Sequence, residues 1–338
     1  MRRRDFVRVT GGAAATLAGG FAVWPAASLA QQSGRVRRIG VLMAYPESNP
    51  EGQTLIAALP QALRKLGWTE GGNVRIEVRW GALDDGAAMS RSAKELLALE
   101  PEVIVTQNTP ATAAMRQQTN SVPIVFALVS DPVGSGFAES LARPGGNVTG
   151  FTNLVPSLAG KWVELLKEIA PNVVRVGILS NPITAPYVTR FYEPALKAAA
   201  QTLAVNATSA FVHTVPDLET TISGIAREPG GGLIVMPDDF LNAHYEELIA
   251  LAARSRLPAI YPWRFLAEAG GLISYGSERN QFPLAAVYVD RILRGERPGD
   301  LPVQAPTKYQ LIVNLKTAKT LGLDEPALLQ QRADEVIE

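Results

Sequence analysis

The chain has 338 residues, no cysteine, and 32 basic and 32 acidic side chains. Without cysteine it forms no disulfide, offers no thiol for lipid attachment and builds no thiolate metal site. Balanced charge disfavours nucleic-acid binding, which usually shows as a basic excess. An apolar share of 47% with only 19% charged residues argues against disorder.

The first thirty residues are typical of an export signal. Arg3-Arg4-Asp5-Phe6 is followed by a weakly apolar run, Val9 to Trp24, and then by Ser28-Leu29-Ala30. The paired arginines indicate the twin-arginine route. A membrane anchor needs about 20 strongly apolar residues, and glycines and Pro25 interrupt this run. We expect cleavage after Ala30 and a periplasmic product of 308 residues with 28 basic and 31 acidic side chains, without a membrane anchor.

From Arg38 onward, short β-branched runs alternate with longer amphipathic stretches, which predicts the strand–helix units of a parallel sheet. The first predicted series is strand 39–44, helix 52–66, strand 74–80, helix 86–99, strand 103–107, helix 110–118 capped by Thr109, strand 123–129, a short helix at 137–142 and strand 148–151. The second is helix 158–169, strand 174–179, helix 188–203, strand 208–212, helix 218–226, strand 233–236, helix 242–254 and strands 259–261 and 272–275, then helix 282–293, strand 310–314 and helix 315–321.

The two series open alike, with Arg38-Ile39-Gly40-Val41-Leu42 and Arg175-Val176-Gly177-Ile178-Leu179. This similarity favours two doubly wound α/β lobes built on parallel sheets. Elements after Tyr275 are needed to complete both lobes, so the chain should cross between them about three times, in a multi-strand hinge near Phe151, Tyr275 and Pro306. The predicted lobes comprise residues 36–150 with 276–305, and residues 151–275 with 306–338.

Most of the predicted strands end in a polar or aromatic residue beside a proline. These ends are Tyr45-Pro46, Asn108-Thr109-Pro110, Asp131-Pro132, Asn181-Pro182, Pro237-Asp238-Asp239 and Tyr261-Pro262-Trp263. Each one alone is explained as a helix cap. Ligands of open parallel sheets, however, gather beyond the carboxyl ends of the strands. Six such ends on two facing lobes therefore predict one shared cleft.

The predicted cleft suits a small polar or zwitterionic solute. Helix starts after Asn108 and Asp131 can hold a carboxylate, with Arg264 as an alternative partner. Asp238 or Asp239 can accept a hydrogen bond from an ammonium group, and aromatic side chains can stack on an apolar portion of the solute. The predicted ligand contacts are Asn108, Thr109, Asp131, Asn181, Asp238 and Asp239, with Tyr45, Trp263 and Tyr275 as the aromatic side chains.

A family resemblance rests on segments spread along the chain. They are Pro123-Ile124-Val125-Phe126, Ser130-Asp131-Pro132-Val133, Gly146-Asn147-Val148-Thr149-Gly150, Gly270-Gly271, Ser274-Tyr275-Gly276, Ile292-Leu293-Arg294-Gly295-Glu296-Arg297-Pro298, Val313-Asn314, Ala318 and Leu321-Gly322-Leu323. These segments, which together extend over nearly all of residues 36–326, resemble the solute-binding proteins of ABC importers, in the group typified by the tryptophan-binding protein TrpX.

That resemblance implies a periplasmic-binding-protein fold of type I, and an ABC permease with a separate ATPase subunit as partner. It also implies aromatic amino acids as solutes, held by the loops that end in Asn108, Asp131, Asn181 and Asp238. Many relatives carry Asp-Asn where Asp238-Asp239 stands here, and the second carboxylate favours a more cationic solute.

Motifs for catalysis are missing from the sequence. His213 and His244 lack metal-binding spacing, and neither a serine-nucleophile elbow nor a phosphate-binding loop is present. Gly134-Ser135-Gly136 is too short for a dinucleotide fingerprint, and Asp84-Asp85 and Glu246-Glu247 are typical of solvated charge pairs. We therefore predict a monomeric receptor without catalytic residues, cofactor or metal. The alternatives are an exported enzyme on the same scaffold and a binding protein that presents its ligand to a membrane sensor.

Overall fold

The computed structural model describes residues 36–82, 85–324 and 326–338. The predicted export signal and Asp84 lie outside these residues. Val36–Glu338 constitutes one compact unit. Among the helices described, none combines the length and apolar character needed to cross a bilayer.

A five-stranded parallel sheet forms the first lobe, with strand order β2-β1-β3-β4-β5. Its strands are β1 (Arg37–Met43), β2 (Val74–Trp80), β3 (Val103–Gln107), β4 (Ile124–Val129) and β5 (Val148–Thr152). The helices on this sheet are α1 (Pro50–Lys65), α2 (Gly86–Leu97), α3 (Asn108–Gln118) and, from later in the chain, α10 (Phe282–Leu293). Strands β3 and β4 are buried along their whole length, as expected for continuous apolar runs covered on both faces.

A seven-stranded sheet forms the second lobe, with strand order β12-β11-β10-β9-β8-β6-β7. Its strands are β6 (Arg175–Ser180), β7 (Asn206–Phe211), β8 (Gly231–Val235), β9 (Ala259–Tyr261), β10 (Ile273–Ser277), β11 (Tyr309–Asn314) and β12 (Glu335–Ile337). Its helices are α4 (Leu158–Ile169), α5 (Glu193–Thr202), α6 (Val215–Ala226), α7 (Asp239–Ala243), α8 (Tyr245–Arg254), α9 (Arg264–Glu268), α11 (Leu315–Thr320) and α12 (Ala327–Arg332).

The prediction of two similar doubly wound lobes is confirmed by the strand orders. The run β7-β6-β8-β9-β10 repeats the order β2-β1-β3-β4-β5. One detail differs from prediction, because β11 pairs with β10 in the antiparallel sense. The chain leaves the second sheet at the end of β10 and returns beside that end, so β11 runs back along its neighbour.

Apolar layers cover both faces of each sheet. Along β1, Ile39, Val41 and Met43 face the cluster beneath α1 and α10, whereas Leu42 faces the cluster beneath α2 and α3. This alternation follows from the two-residue repeat of a strand. In the second sheet, Trp162 of α4 belongs to one cluster, and α6 and α8 contribute to the other.

The crossings between the sheets are joined to one another. Gln304, on the segment returning to β11, forms a parallel bridge with Phe151 at the end of β5. Its backbone accepts from Thr152 N at 2.9 Å. On the crossing from β10 to α10, Gln281 accepts from the backbone N of Leu128 at 2.7 Å and donates to the carbonyl of Thr152 at 3.1 Å. These bonds make a hinge of several strands.

Two predicted helices differ from the structure for identifiable reasons. Residues 137–142 form bends and irregular backbone rather than a helix. The amides of Phe137 and Ala138 bond back to the Pro132 carbonyl, and Gly136 has a φ of 71°. The predicted helix 188–203 begins as a π-helical turn, Val188–Tyr192, before α5. Pro194 cannot donate to the carbonyl four residues earlier.

Other helix and strand boundaries also differ from the predicted ones. The predicted helix 242–254 is divided at His244 into α7 and α8. Thr109 does not cap α3, because that helix already begins at Asn108 and no side chain caps it. Helices α9 and α12 and strand β12 were not predicted, since each is six residues or shorter.

Candidate functional site

The carboxyl ends of the two sheets face each other. Burial raises the pKa of Asp239, which follows β8, and the amide of Asn108, at the end of β3, lies close enough to oppose that rise. Burial likewise raises the pKa of Tyr187 in the second lobe, and Ser130, after β4, opposes it. Both contacts join residues of different lobes. The ends of β3 and β4 thus meet residues of the second lobe at these two points.

Arg279 lies at the centre of this cleft, on the crossing from β10 to α10. It is 6% exposed. Its Nη2 donates to the Tyr45 hydroxyl at 2.7 Å, and its Nη1 pairs with Glu51 at the start of α1. The guanidinium carbon lies 5.9 Å from the ring centre of Trp263 and 5.4 Å from that of Phe265. We call these five residues the Arg279 cluster.

The acidic neighbours of Arg279 stabilise its positive charge. Burial alone would lower the pKa of Arg279, but Tyr45, Glu51 and Asp239 outweigh it and hold that pKa above its usual value. Burial raises the pKa of Tyr45 to about 12, with Arg279 opposing the rise. Both side chains therefore keep their protons at neutral pH.

Asp239 is the acidic group on the opposite wall. Burial raises its pKa to about 7, Arg279 opposes the rise, and Asp238 adds to it. The residue is nevertheless partly exposed, at the floor of the cleft. Its carboxylate makes no hydrogen bond of standard geometry with the described residues. The Asn108 amide lies beside it, and the two oxygens of a carboxylate leave room for further hydrogen bonds from a ligand.

Asp238, by contrast, is fully hydrogen-bonded by its own loop and by the loop after β6. Its carboxylate accepts from Asn181 N at 2.6 Å, Thr184 Oγ1 at 2.8 Å, Phe240 N at 2.8 Å and Leu241 N at 3.2 Å. Burial still raises its pKa. The side-chain Oδ1 of Asn181 accepts from Ile183 N at 2.8 Å within the loop after β6. Both predicted contacts thus fasten the ends of β6 and β8 together.

Several buried donors at the strand ends lack a partner among the described residues. They are the Gln107 Nε2, Asn108 Nδ2, Trp263 Nε1, Ser180 Oγ and Ser274 Oγ atoms. Buried polar groups are rarely left unbonded. Asn108 has a φ of 65°, a left-handed conformation that asparagine tolerates, and this conformation places its amide beside Asp239. We call Gln107, Asn108 and Trp263 the donor set.

The remaining predicted contacts lie outside this arrangement. Thr109 is half-buried in the first turn of α3. Asp131 accepts from Gly134 N at 2.8 Å and closes the turn that follows β4. Tyr275 packs towards the core of the second lobe, with its ring 6.2 Å from that of Tyr309. Arg264, suggested as a carboxylate partner, instead pairs with Glu268 and Glu335 at the surface.

Arg279, Glu51, Phe265 and Gln107 were missed from the sequence. Arg279 sits in the polar stretch Ser277-Glu278-Arg279-Asn280-Gln281, which resembles an exposed loop. The one feature of the sequence that could have indicated its role is its position two residues beyond the end of β10, where ligands of such sheets gather. Within the described residues, no group of three or more acidic, histidine or cysteine side chains is arranged to hold a metal ion.

The fold and cleft define a class, the two-lobed periplasmic-binding proteins of type I. The sequence model of the ABC transporter substrate binding protein family matches residues 47–337. The chain belongs to that family, whose members bind small solutes and work with an ABC permease. It is 24% identical to the tyrosine-binding protein of Clostridioides difficile strain R20291 over 267 residues, which is 78% of this chain and 75% of that protein.

Two solved structures share the fold. A conserved domain protein from Vibrio cholerae O1 biovar El Tor strain N16961 has a TM-score of 0.80 and 28% identity, covering 89% of this chain and 100% of that one. The ABC domain from Streptococcus pneumoniae in complex with L-Trp also has a TM-score of 0.80, with 24% identity, covering 89% of this chain and 99% of that one.

Proposed function

We propose that this protein is the periplasmic solute receptor of an ABC importer and that it captures an α-amino acid between its lobes. One observation carries the proposal: the available hydrogen-bonding groups of the cleft complement a zwitterion. Asp239 is an acceptor without a standard hydrogen bond, Asn108 of the donor set lies beside it, and Gln107 and Trp263 provide further unpartnered donors at the ends of β3 and β9. An ammonium group only donates and a carboxylate only accepts, so each has its matching group in the cleft.

In this proposal the ammonium group of the solute binds Asp239. That carboxylate is surrounded by protein yet accessible, so a charge-assisted bond to it is stronger than one in water. The carboxylate of the solute binds Asn108 Nδ2, Trp263 Nε1 and Gln107 Nε2. Arg279 contributes positive potential, but Glu51 already offsets most of its charge.

The side chain of the solute is proposed to be aromatic. Trp263 and Phe265 provide ring surfaces beside Arg279, and Tyr187 provides one near Asp239. Aromatic rings attract one another at centroid separations of about 4.5–7 Å. Two relatives support the same class, since one is a tyrosine-binding protein and the other was solved with L-Trp.

Delivery completes the proposal. The twin-arginine signal exports the folded chain, cleavage after Ala30 releases it as a monomer, and the closed form docks on a permease driven by a separate ATPase subunit. The closing bodies are residues 36–150 with 276–305 and residues 151–275 with 306–338. A solute stabilises closure only through its higher affinity for the closed form than for the open one.

Isothermal titration calorimetry tests the solute class. L-tryptophan and L-tyrosine should bind, whereas indole-3-propionate, which lacks the ammonium group, should not. Tryptamine, which lacks the carboxylate, should bind more weakly than L-tryptophan. Asp239→Asn should weaken L-tryptophan binding by about 30-fold or more, because it removes one partner of a buried charge pair. Equal affinity for L-tryptophan and indole-3-propionate would contradict the proposal.

A further inference from the structure

Arg279 contacts both lobes from a position on the crossing between them. Both of its polar partners, Tyr45 and Glu51, belong to the first lobe. The rings of Trp263 and Phe265, which flank it at 5.9 Å and 5.4 Å, belong to the second. The side chain therefore bridges the cleft near the hinge, beside the groups that we assign to the solute.

Opening of the cleft must separate these two sets of partners. A hinge rotation moves the loop after β9, which carries Trp263 and Phe265, away from Tyr45 and Glu51 at the edge of the first lobe. One side chain cannot follow both. Either the guanidinium loses its contacts with the aromatic rings, or it loses Glu51 and becomes a charge without a partner. Both losses cost free energy on opening, so the contacts of Arg279 favour the closed arrangement.

Chemistry explains why an arginine occupies this place. A guanidinium is planar, so its edge can bond Tyr45 and Glu51 while its faces stay against aromatic rings. A lysine ammonium is a compact charge that cannot do both in one conformation. The backbone is also held close here, because a Cβ on Gly276 would lie 1.8 Å from the Pro262 carbonyl oxygen.

We infer that Arg279 is a positioning residue that latches the two lobes together and so sets how long a bound solute is retained. The inference rests on the proposed closure around a solute, but it assigns Arg279 to closure rather than to direct recognition. It predicts that removal of Arg279 opens the unliganded protein.

The test measures the distance between the lobes. The chain has no cysteine, so Gln61→Cys in α1 and Glu219→Cys in α6 give two unique, exposed labelling sites. Pulsed electron–electron double resonance measures the distance between spin labels on these two cysteines, in the protein from Gln31 onward and without added solute. This distance should become longer in Arg279→Met and Arg279→Lys. Arg264→Met, which removes a surface arginine, is the matched control and should behave as wild type.

Stopped-flow kinetics with L-tryptophan provides the second measurement. Arg279→Met should raise the dissociation rate about 30-fold and leave the association rate within about threefold. An Arg279→Met distance distribution identical to wild type, in a variant whose melting temperature is also unchanged, would overturn the latch. Absence of L-tryptophan binding to the wild type would instead refute the proposed solute, and the distance measurement would still decide the latch.

Discussion

Replacing Asp239 by asparagine should stabilise the protein while it abolishes tight binding. The carboxylate is held at the floor of the cleft without a standard hydrogen bond, and burial raises its pKa from 3.8 to about 7. In the unfolded chain the same carboxyl loses its proton near pH 4. Between pH 4 and pH 7 ionisation therefore favours unfolding, and the resulting destabilisation is fully present above pH 7.

The size of the effect follows from the two pKa values. The difference between 3.8 and about 7 corresponds to at most about 4 kcal/mol, and the partial exposure of Asp239 to solvent reduces this to about 1–3 kcal/mol. Asparagine has nearly the same shape and no charge. For a protein of this length, the gain corresponds to a rise in melting temperature of about 2–6 °C at pH 8.

Differential scanning calorimetry at pH 8 and pH 4 checks this prediction. The Asn variant should melt higher than wild type at pH 8, and the two should melt together at pH 4. A gain of equal size at both pH values would show that the charge is not responsible. A loss at pH 8 would mean that the ionised carboxylate stabilises the fold.

Three further outcomes are expected. L-tryptophan affinity should be constant between about pH 7.5 and 8.5 and fall towards tenfold per pH unit below pH 7, because the solute needs the ionised Asp239 and its own protonated ammonium group. Calorimetry in buffers of different ionisation enthalpy should detect proton release near pH 7, and a flat profile across pH 7 would exclude this carboxylate. Asp238→Asn should lower the free energy of unfolding by about 1–3 kcal/mol at both pH 5 and pH 8. The reason is that the amide NH2 group would replace an oxygen that now accepts hydrogen bonds. An unchanged denaturation midpoint would contradict this prediction. Gly276→Ala should weaken both folding and binding, because its Cβ would overlap the Pro262 carbonyl, and a wild-type melting temperature would show that the loop can move aside.

Element order was predictable because it depends on local pattern. Strands β2, β3 and β9 and helices α4 and α10 begin and end where apolar periodicity and proline or glycine signals place them. Short elements such as α9 were not predictable, since five residues carry too little periodicity. The π-helical turn at Val188–Tyr192 depends on one proline within an otherwise helical pattern.

Site residues were predictable only in part, because strand ends mark a place and not a role. Asp238 and Asp239 are adjacent and chemically identical in the sequence. The structure gives the first four hydrogen bonds and leaves the second without one of standard geometry. Which carboxylate faces the cleft is decided by the turn into α7, and no local pattern encodes it.

The two arginines show the same limit. Arg264 follows β9 and Arg279 follows β10, each within three residues of the strand end. Arg264 pairs with glutamates at the surface. Arg279 is buried against the rings of Trp263 and Phe265 in the second lobe and of Tyr45 in the first. Their difference arises from tertiary packing between residues more than 200 positions apart, such as Arg279 and Tyr45.

A crystal structure of the protein with L-tryptophan would decide how the cleft holds its solute. We expect the ammonium nitrogen within hydrogen-bonding distance of the Asp239 carboxylate, and the carboxylate of L-tryptophan bonded to Asn108 and Trp263. We also expect Arg279 to keep its contacts with Glu51 and Tyr45. An L-tryptophan bound in the opposite orientation, with its carboxylate on Arg279 and its ammonium group away from Asp239, would refute the proposed recognition of an amino acid.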